Sequence, residues 1–171
     1  DFNSILTKIK GQDFDVIYIP GYYNEVGLII KQARAQGIDV PVLGGDGFDS
    51  PVLLELAGAE ALNDVYFSNH YSSVDESPKV QAFIKAYKAK YNKDPDAFAA
   101  LGYDLAKLVA DAIGRSESLD GQAINKAISE TKNFDGVTGT ISIDENHNAV
   151  KDIIVIGLKD GVQATAERIS K

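Results

Sequence analysis

Helix and strand signals alternate from the first residue of this chain and then abruptly cease to alternate, and that break constrains the fold more than any other feature of the sequence. Phe2, Ile5, Leu6 and Ile9 recur at helical spacing, with Asp1 placed to cap and Gly11 to stop the helix. Asp15 to Ile19 is a short apolar run closed by Pro20-Gly21, which predicts a buried parallel strand. Asn24 is positioned to cap a second helix, whose Val26, Ile29, Ile30 and Ala33 share a face and which Gly37 ends. Val40 to Leu43 predicts the next strand, and Gly44-Gly-Asp-Gly47 the loop after it. Ser50-Pro51 opens a helix through about Ala59, since proline is tolerated at a first helical position. Val65 to Ser68 predicts a third strand. Three such units in about 70 residues define an α/β fold with a doubly wound parallel sheet.

Residues from Ser77 onward read differently. Val80, Phe83, Ile84, Tyr87 and Tyr91 form one helical stripe, broken at Pro95. Leu101, Leu105, Leu108, Val109 and Ala112 form a second, and Ile124, Ala127 and Ile128, capped by Asp120, a third. No strand separates these helices. Val137 to Ile143 then alternates apolar and hydroxyl residues, as a half-buried strand does. Asp144 to Asn148 is a turn, and Ile153 to Leu158 predicts the last buried strand, ending at Asp160-Gly161. Helices over 77–130 thus have apolar faces and almost no sheet of their own to cover, so their sheet is expected from residues outside this chain.

Charge and composition narrow the function. The formal net charge is −8, which argues against nucleic acid as a partner, because phosphate contacts need a concentrated basic face. Lys79, Lys85, Lys88, Lys90 and Lys93 cluster, but among Phe83, Tyr87 and Tyr91 at helical spacing they read as the wet side of an amphipathic helix. Cysteine is absent, which excludes disulfides, thiolate catalysis and cysteine-ligated zinc. No apolar run approaches the roughly 20 residues that cross a bilayer, and no basic start precedes an apolar stretch as in a signal peptide. His147, in Asp144-Glu-Asn-His-Asn148, sits in a string too short for a calcium loop, and His70 lies near no nucleophile pattern. Gly44-Gly-Asp-Gly47 lacks the spacing and lysine of a phosphate loop. No catalytic residue, metal ligand or cofactor is expected.

Several strings in order carry a resemblance. Tyr18-Ile-Pro-Gly-Tyr22-Tyr-Asn-Glu25, Ile30-Lys-Gln-Ala-Arg34-Ala-Gln-Gly37 and Leu43-Gly-Gly-Asp46-Gly resemble the type I periplasmic-binding fold, and within it the leucine/isoleucine/valine-binding receptors of ABC importers. Asp94-Pro-Asp-Ala-Phe98 before Gly102-Tyr103-Asp104, and Gly136-Val-Thr-Gly139 before Asp144, extend the likeness over essentially the whole chain. The resemblance implies the C-terminal half of a receptor with two α/β lobes joined by three crossing strands, the second lobe incomplete. Residues 1–72 and 151–171 would form the C-terminal ligand-binding lobe, and 73–150 the helical part of the N-terminal lobe. The crossings would lie near Tyr71–Ser73 and Asn146–Lys151.

The resemblance also implies an extracytoplasmic receptor, free in the periplasm or anchored as a lipoprotein. It would capture an amino acid, branched-chain or otherwise aliphatic, and pass it to an ABC-transporter permease. A free amino acid is a zwitterion, so a closed cleft must satisfy an ammonium and a carboxylate away from water. Asp46 lies on a glycine-flanked loop beyond a parallel strand, where open α/β sheets bind ligands, and by resemblance its carboxylate takes the ammonium. The plainer alternative is a turn aspartate, because Gly-Asp-Gly is ordinary turn chemistry. Tyr22, in the equivalent loop of the preceding unit, would wall the cleft; residue types alone do not separate it from Tyr23, and the family pattern selects Tyr22. Phe98 would touch the aliphatic side chain, against the alternative of helix packing. Rival readings are a receptor for an amide or aromatic ligand, the effector domain of a transcription regulator and a doubly wound enzyme. The uncovered helix faces also predict a dimer or swapped assembly of the chain alone, or a cleavage product.

Overall fold

Three short strands run parallel and end at the same edge of one sheet, as the early alternation requires. They are β1 (Ile17–Ile19), β2 (Val42–Gly44) and β3 (Val65–Asn69), in register through Ile19, Gly44 and Phe67. The computed structural model describes residues 1–170; Lys171, the last residue of the segment assigned to the C-terminal lobe, lies outside the described residues. Helix α1 (Asn3–Lys10) precedes β1, α2 (Tyr23–Ala35) joins β1 to β2, and α3 (Pro51–Ala57) with a 3-10 turn over Glu60–Leu62 joins β2 to β3. The expected α/β class and parallel sheet are present.

The sheet does not stay parallel. Next to β3 lies β7 (Ile153–Lys159), antiparallel, and at the edge β8 (Val162–Ile169), also antiparallel. The chain was expected to end its last strand at Asp160-Gly161; those residues are instead a tight turn into β8. Strand β8 is mostly exposed, so it lacks the apolar alternation that marks a half-buried strand.

The strands are covered on one face only. Val26 and Ile30 of α2, Leu53 of α3, Phe48, Val42, Val65, Phe67, Ile154 and Ile156 make the core. The other face carries Tyr18, which is 63% exposed, with Leu43 and Tyr66 beside it in register. The prediction that residues 15–19 form a buried strand is therefore corrected: β1 is shorter and half-buried, because both neighbouring helices pack on one side. Details at helix ends shift similarly. Ser50 caps α3 through Val52 N–H and Asp120 caps α6 (Gly121–Ser129), as expected; Asp1 accepts from Asn3 N–H, but the N-cap position of α1 falls on Phe2, which makes no side-chain cap bond. Asn24 does not cap α2; the helix begins two residues earlier than such a cap requires, and Tyr22 is its extended N-cap residue. Ile5 faces out.

Between β3 and β7 the chain builds a second core. Helix α4 (Pro78–Tyr91) and helix α5 (Ala97–Arg115) pack through Val80, Phe83, Ala97 and Ala100 onto Tyr71. Phe83 meets Tyr71 edge-on at 6.3 Å and Tyr103 at 5.1 Å. These helices thus bury part of their apolar faces against each other, although Leu105 remains 62% exposed.

The expected strand over 137–143 is really a hairpin. Strand β4 (Phe134–Gly136) pairs with β5 (Gly139–Ile143), leaving Val137-Thr138 as a two-residue turn, and β6 (Ala149–Val150) completes a small antiparallel sheet. Thr138 is buried, not outward, because the Asp104 carboxylate of α5 accepts from the backbone N–H groups of both Val137 and Thr138 at 2.7 Å.

Removing that carboxylate strands two backbone donors, one buried and one part-buried. Asp104→Ala is expected to lower unfolding free energy by about 1–3 kcal/mol or more. Asp111→Ala, which breaks an exposed ion pair with Arg115, should cost less than about 0.5 kcal/mol. Urea titration of both variants checks the difference; equal effects would contradict the role given to Asp104.

Candidate functional site

Parallel strands that end together bring their following loops together. After β1 come Pro20, Gly21 and Tyr22; after β2 come Gly45 and a 3-10 turn, Asp46–Phe48; after β3 comes His70. Antiparallel β7 starts at this same edge, since Asn69 pairs with Ile154, which places Lys151 just outside it.

Close approach of two loops sets the geometry. Phe48 is fully buried and its ring crosses Gly44, where an added Cβ would fall 2.1 Å from Cζ. The ring also packs at 5.6 Å on Phe67, so the turn carrying Asp46 is pinned to the core from beneath. At Gly47 a Cβ would lie 2.6 Å from the Gly21 carbonyl and 3.1 Å from the Tyr22 ring, so glycine there lets the β1 and β2 loops touch. Asp46 and Tyr22 are consequently neighbours. Tyr23 packs onto the core, whereas Tyr22 is 63% exposed, so the structure separates the two tyrosines that residue type alone left open.

Asp46 points outward, with its side chain 51% exposed. Its Oδ2 stands 3.3 Å from Nε2 of His70, a contact that sequence reasoning missed. The rule that singled out Tyr22 and Asp46, a position just beyond a parallel strand, applies equally to His70. Burial first, then repulsion by Lys151, pushes the His70 ring below its ordinary value against the pull of Asp46. Burial likewise pushes the Lys151 ammonium down to about 8, opposed by Asp104, and that ammonium donates to Thr138.

Three residues along, Asp49 behaves differently. Its carboxylate is part-buried and accepts from Asn69 Nδ2 at 3.0 Å and from Ala97 N–H at 2.9 Å. Asn69 is itself fully buried, and its Oδ1 accepts from His70 N–H. This chain of bonds ties the β2 loop, the end of β3 and the start of α5 together. Phe98, the next residue of α5, is 40% exposed and meets Tyr23 edge-on at 6.4 Å. The structure therefore sets Tyr22 against the loop of Asp46 at Gly47, with Phe98 nearby, across Tyr23. Among the described residues, no group of three His, Cys, Asp or Glu side chains is arranged to hold a metal ion.

An outward carboxylate beyond the carboxyl ends of parallel strands, with an exposed tyrosine on the adjoining loop, lies where open α/β sheets bind ligands. The chain belongs to the periplasmic binding protein family, whose pattern it matches over residues 1–163. It is 28% identical over 146 residues to a leucine-, isoleucine-, valine-, threonine- and alanine-binding protein of Pseudomonas aeruginosa, covering 85% of this chain and 38% of that one. Its fold superimposes with a TM-score of 0.89 on the branched-chain amino acid transporter substrate binding protein LivJ of Streptococcus pneumoniae, solved with isoleucine, at 44% identity over 100% of this chain and 49% of that one. The leucine binding protein LivK of Thermotoga maritima gives 0.86 at 40% identity, over 99% and 48%. The chain spans about half the length of these solved relatives and less of the first. These relatives are binding proteins by name.

Burial dominates at Asp49 and raises its carboxyl above the ordinary 3.8, with the bonds from Asn69 and Ala97 opposing and Asp96 reinforcing. A raised folded-state value means that its contribution to stability is complete below 3.8 and is lost as pH rises through the folded value. Asp49→Asn keeps an acceptor for Ala97 N–H and does not ionise. It is expected to gain stability relative to the parent between about pH 4 and about pH 7. Thermal unfolding across that range checks it; a gap that shrinks with rising pH would contradict the assignment.

Proposed function

We propose that this chain is the C-terminal half of an extracytoplasmic receptor that captures an aliphatic amino acid and delivers it to an ABC-transporter permease. Residues 1–72 and the segment from 151 form one lobe, and 73–150 contribute to the other. The observation that carries the reading is the solvent-facing Asp46 carboxylate, pinned by Phe48 at the strand ends with Tyr22 against its loop. Asp46 takes the ligand's ammonium, Tyr22 walls the site, and Phe98 contacts the side chain from the far side. The ligand's carboxylate is held by hydroxyls and backbone N–H groups of the other half. The names of the relatives, which bind leucine, isoleucine and valine, support an aliphatic ligand. Without that other half, the faces around Tyr18 and Leu105 are uncovered, so the chain alone is expected to self-associate.

In the complete receptor, Asp46→Asn is expected to weaken isoleucine binding by about 2–5 kcal/mol, since the buried ammonium loses its charged partner. The keto acid matching isoleucine, which lacks the ammonium, should produce no thermal shift. Calorimetry and thermal melts test both. Parental affinity in Asp46→Asn, or equal shifts from the amino acid and its keto acid, would sink the assignment.

A further inference from the structure

His70 is the group at the strand ends that ligand capture, as set out above, does not use. Its backbone N–H is held by Asn69 Oδ1 at 2.8 Å, and its Nε2 stands 3.3 Å from Oδ2 of Asp46. Its Nδ1 is buried and has no hydrogen-bond partner among the described residues. A carboxylate oxygen only accepts, so the proton of the neutral ring belongs on Nε2 and Nδ1 is bare. A second proton would create a buried N–H with nothing to receive it, which is costly.

The charged groups facing the ring come from two elements. Asp46, on the turn after β2, attracts a charged ring; Lys151, just ahead of β7, repels it. Burial and Lys151 together outweigh Asp46, so the ring titrates below its ordinary 6.5. Lys151 loses its proton only near 8 and remains a cation throughout that lower range. Neither charged group of a free amino acid titrates there. His70 therefore changes charge at a pH below its ordinary 6.5, where Lys151 is still charged.

We propose that His70 is a positioning residue for Asp46, and that on protonation it becomes a rival cation that loosens a bound amino acid as the surroundings acidify. The proposal rests on the receptor reading above. Neutral, the ring occupies Oδ2 and leaves Oδ1 to the ligand's ammonium. Charged, it sets a second cation against the same carboxylate, and two cations there repel one another. Ligand and proton therefore exclude each other, and each weakens the other's binding by the same factor. Affinity is complete above the His70 pKa of the empty site and declines as pH falls through it.

The test is calorimetric titration of isoleucine into the complete receptor at about pH 7.5 and about pH 5. The parent is expected to bind more weakly at the lower pH, the loss approaching roughly tenfold for a displacement of about one pKa unit once pH lies below the His70 value in both the empty and the filled site. Binding near the midpoint should release protons, seen as a heat that depends on the buffer. His70→Asn should flatten the profile. Independently of any ligand, NMR titration of the His70 ring should show its pKa falling in Asp46→Asn, because the attraction is lost. An acid loss in His70→Asn equal to that of the parent, or a His70 pKa indifferent to Asp46→Asn, would overturn the proposal. A parent that binds no aliphatic amino acid at about pH 7.5, with a His70 pKa that does respond to Asp46→Asn, would instead overturn the receptor reading and the proposal with it.

Discussion

Phe48 lying across Gly44 and against Phe67 is the contact on which the site depends. An exposed carboxylate on a three-residue turn has no reason to hold one place, because water competes for it and chain entropy favours spread. A large ring buried directly beneath the turn removes that freedom. Truncation of such a ring costs about 3–5 kcal/mol in general, enough to hold a short loop in place. The same ring needs glycine at position 44, and the contact between the β1 and β2 loops needs glycine at 47. The glycines around Asp46 are thus there for close approach, and the turn chemistry they suggest is secondary.

Two aspartates three residues apart then take opposite parts. Asp46 looks into solvent and makes one contact, with His70. Asp49 is part-buried and accepts two bonds, one of them from the first turn of α5. A carboxylate that must accept an incoming cation has to keep oxygen lone pairs free, whereas one that fastens elements together has to spend them. Asp104 is a second fastener, holding the β4–β5 turn by its backbone. These carboxylates stabilise particular geometries at a desolvation cost that their hydrogen bonds offset.

Much of this was legible before the structure. The helix and strand order through β3, the caps at Ser50 and Asp120, and the strand-end placement of Asp46 follow from periodicity, capping chemistry and the parallel-sheet rule. What escaped did so for identifiable reasons. Strand β8 is exposed and polar, so it carries no alternation to detect. The Val137-Thr138 turn reads as strand because its residues are β-formers; only the carboxylate of Asp104, distant in sequence, bends them. Tyr22 and Tyr23 are chemically identical neighbours, and packing of Tyr23 on the core tells them apart. His70 lacked any local motif. Its meaning appears once β2 and β3 are adjacent and their ends align.

The central claim is that Asp46 receives the ammonium of an amino acid. A crystal structure of the complete receptor with isoleucine bound tests it most directly. The account predicts the ammonium nitrogen within hydrogen-bonding distance of an Asp46 oxygen, about 2.7–3.2 Å, with Tyr22 and Phe98 against the ligand. An ammonium held elsewhere, with Asp46 facing only water and His70, would contradict it.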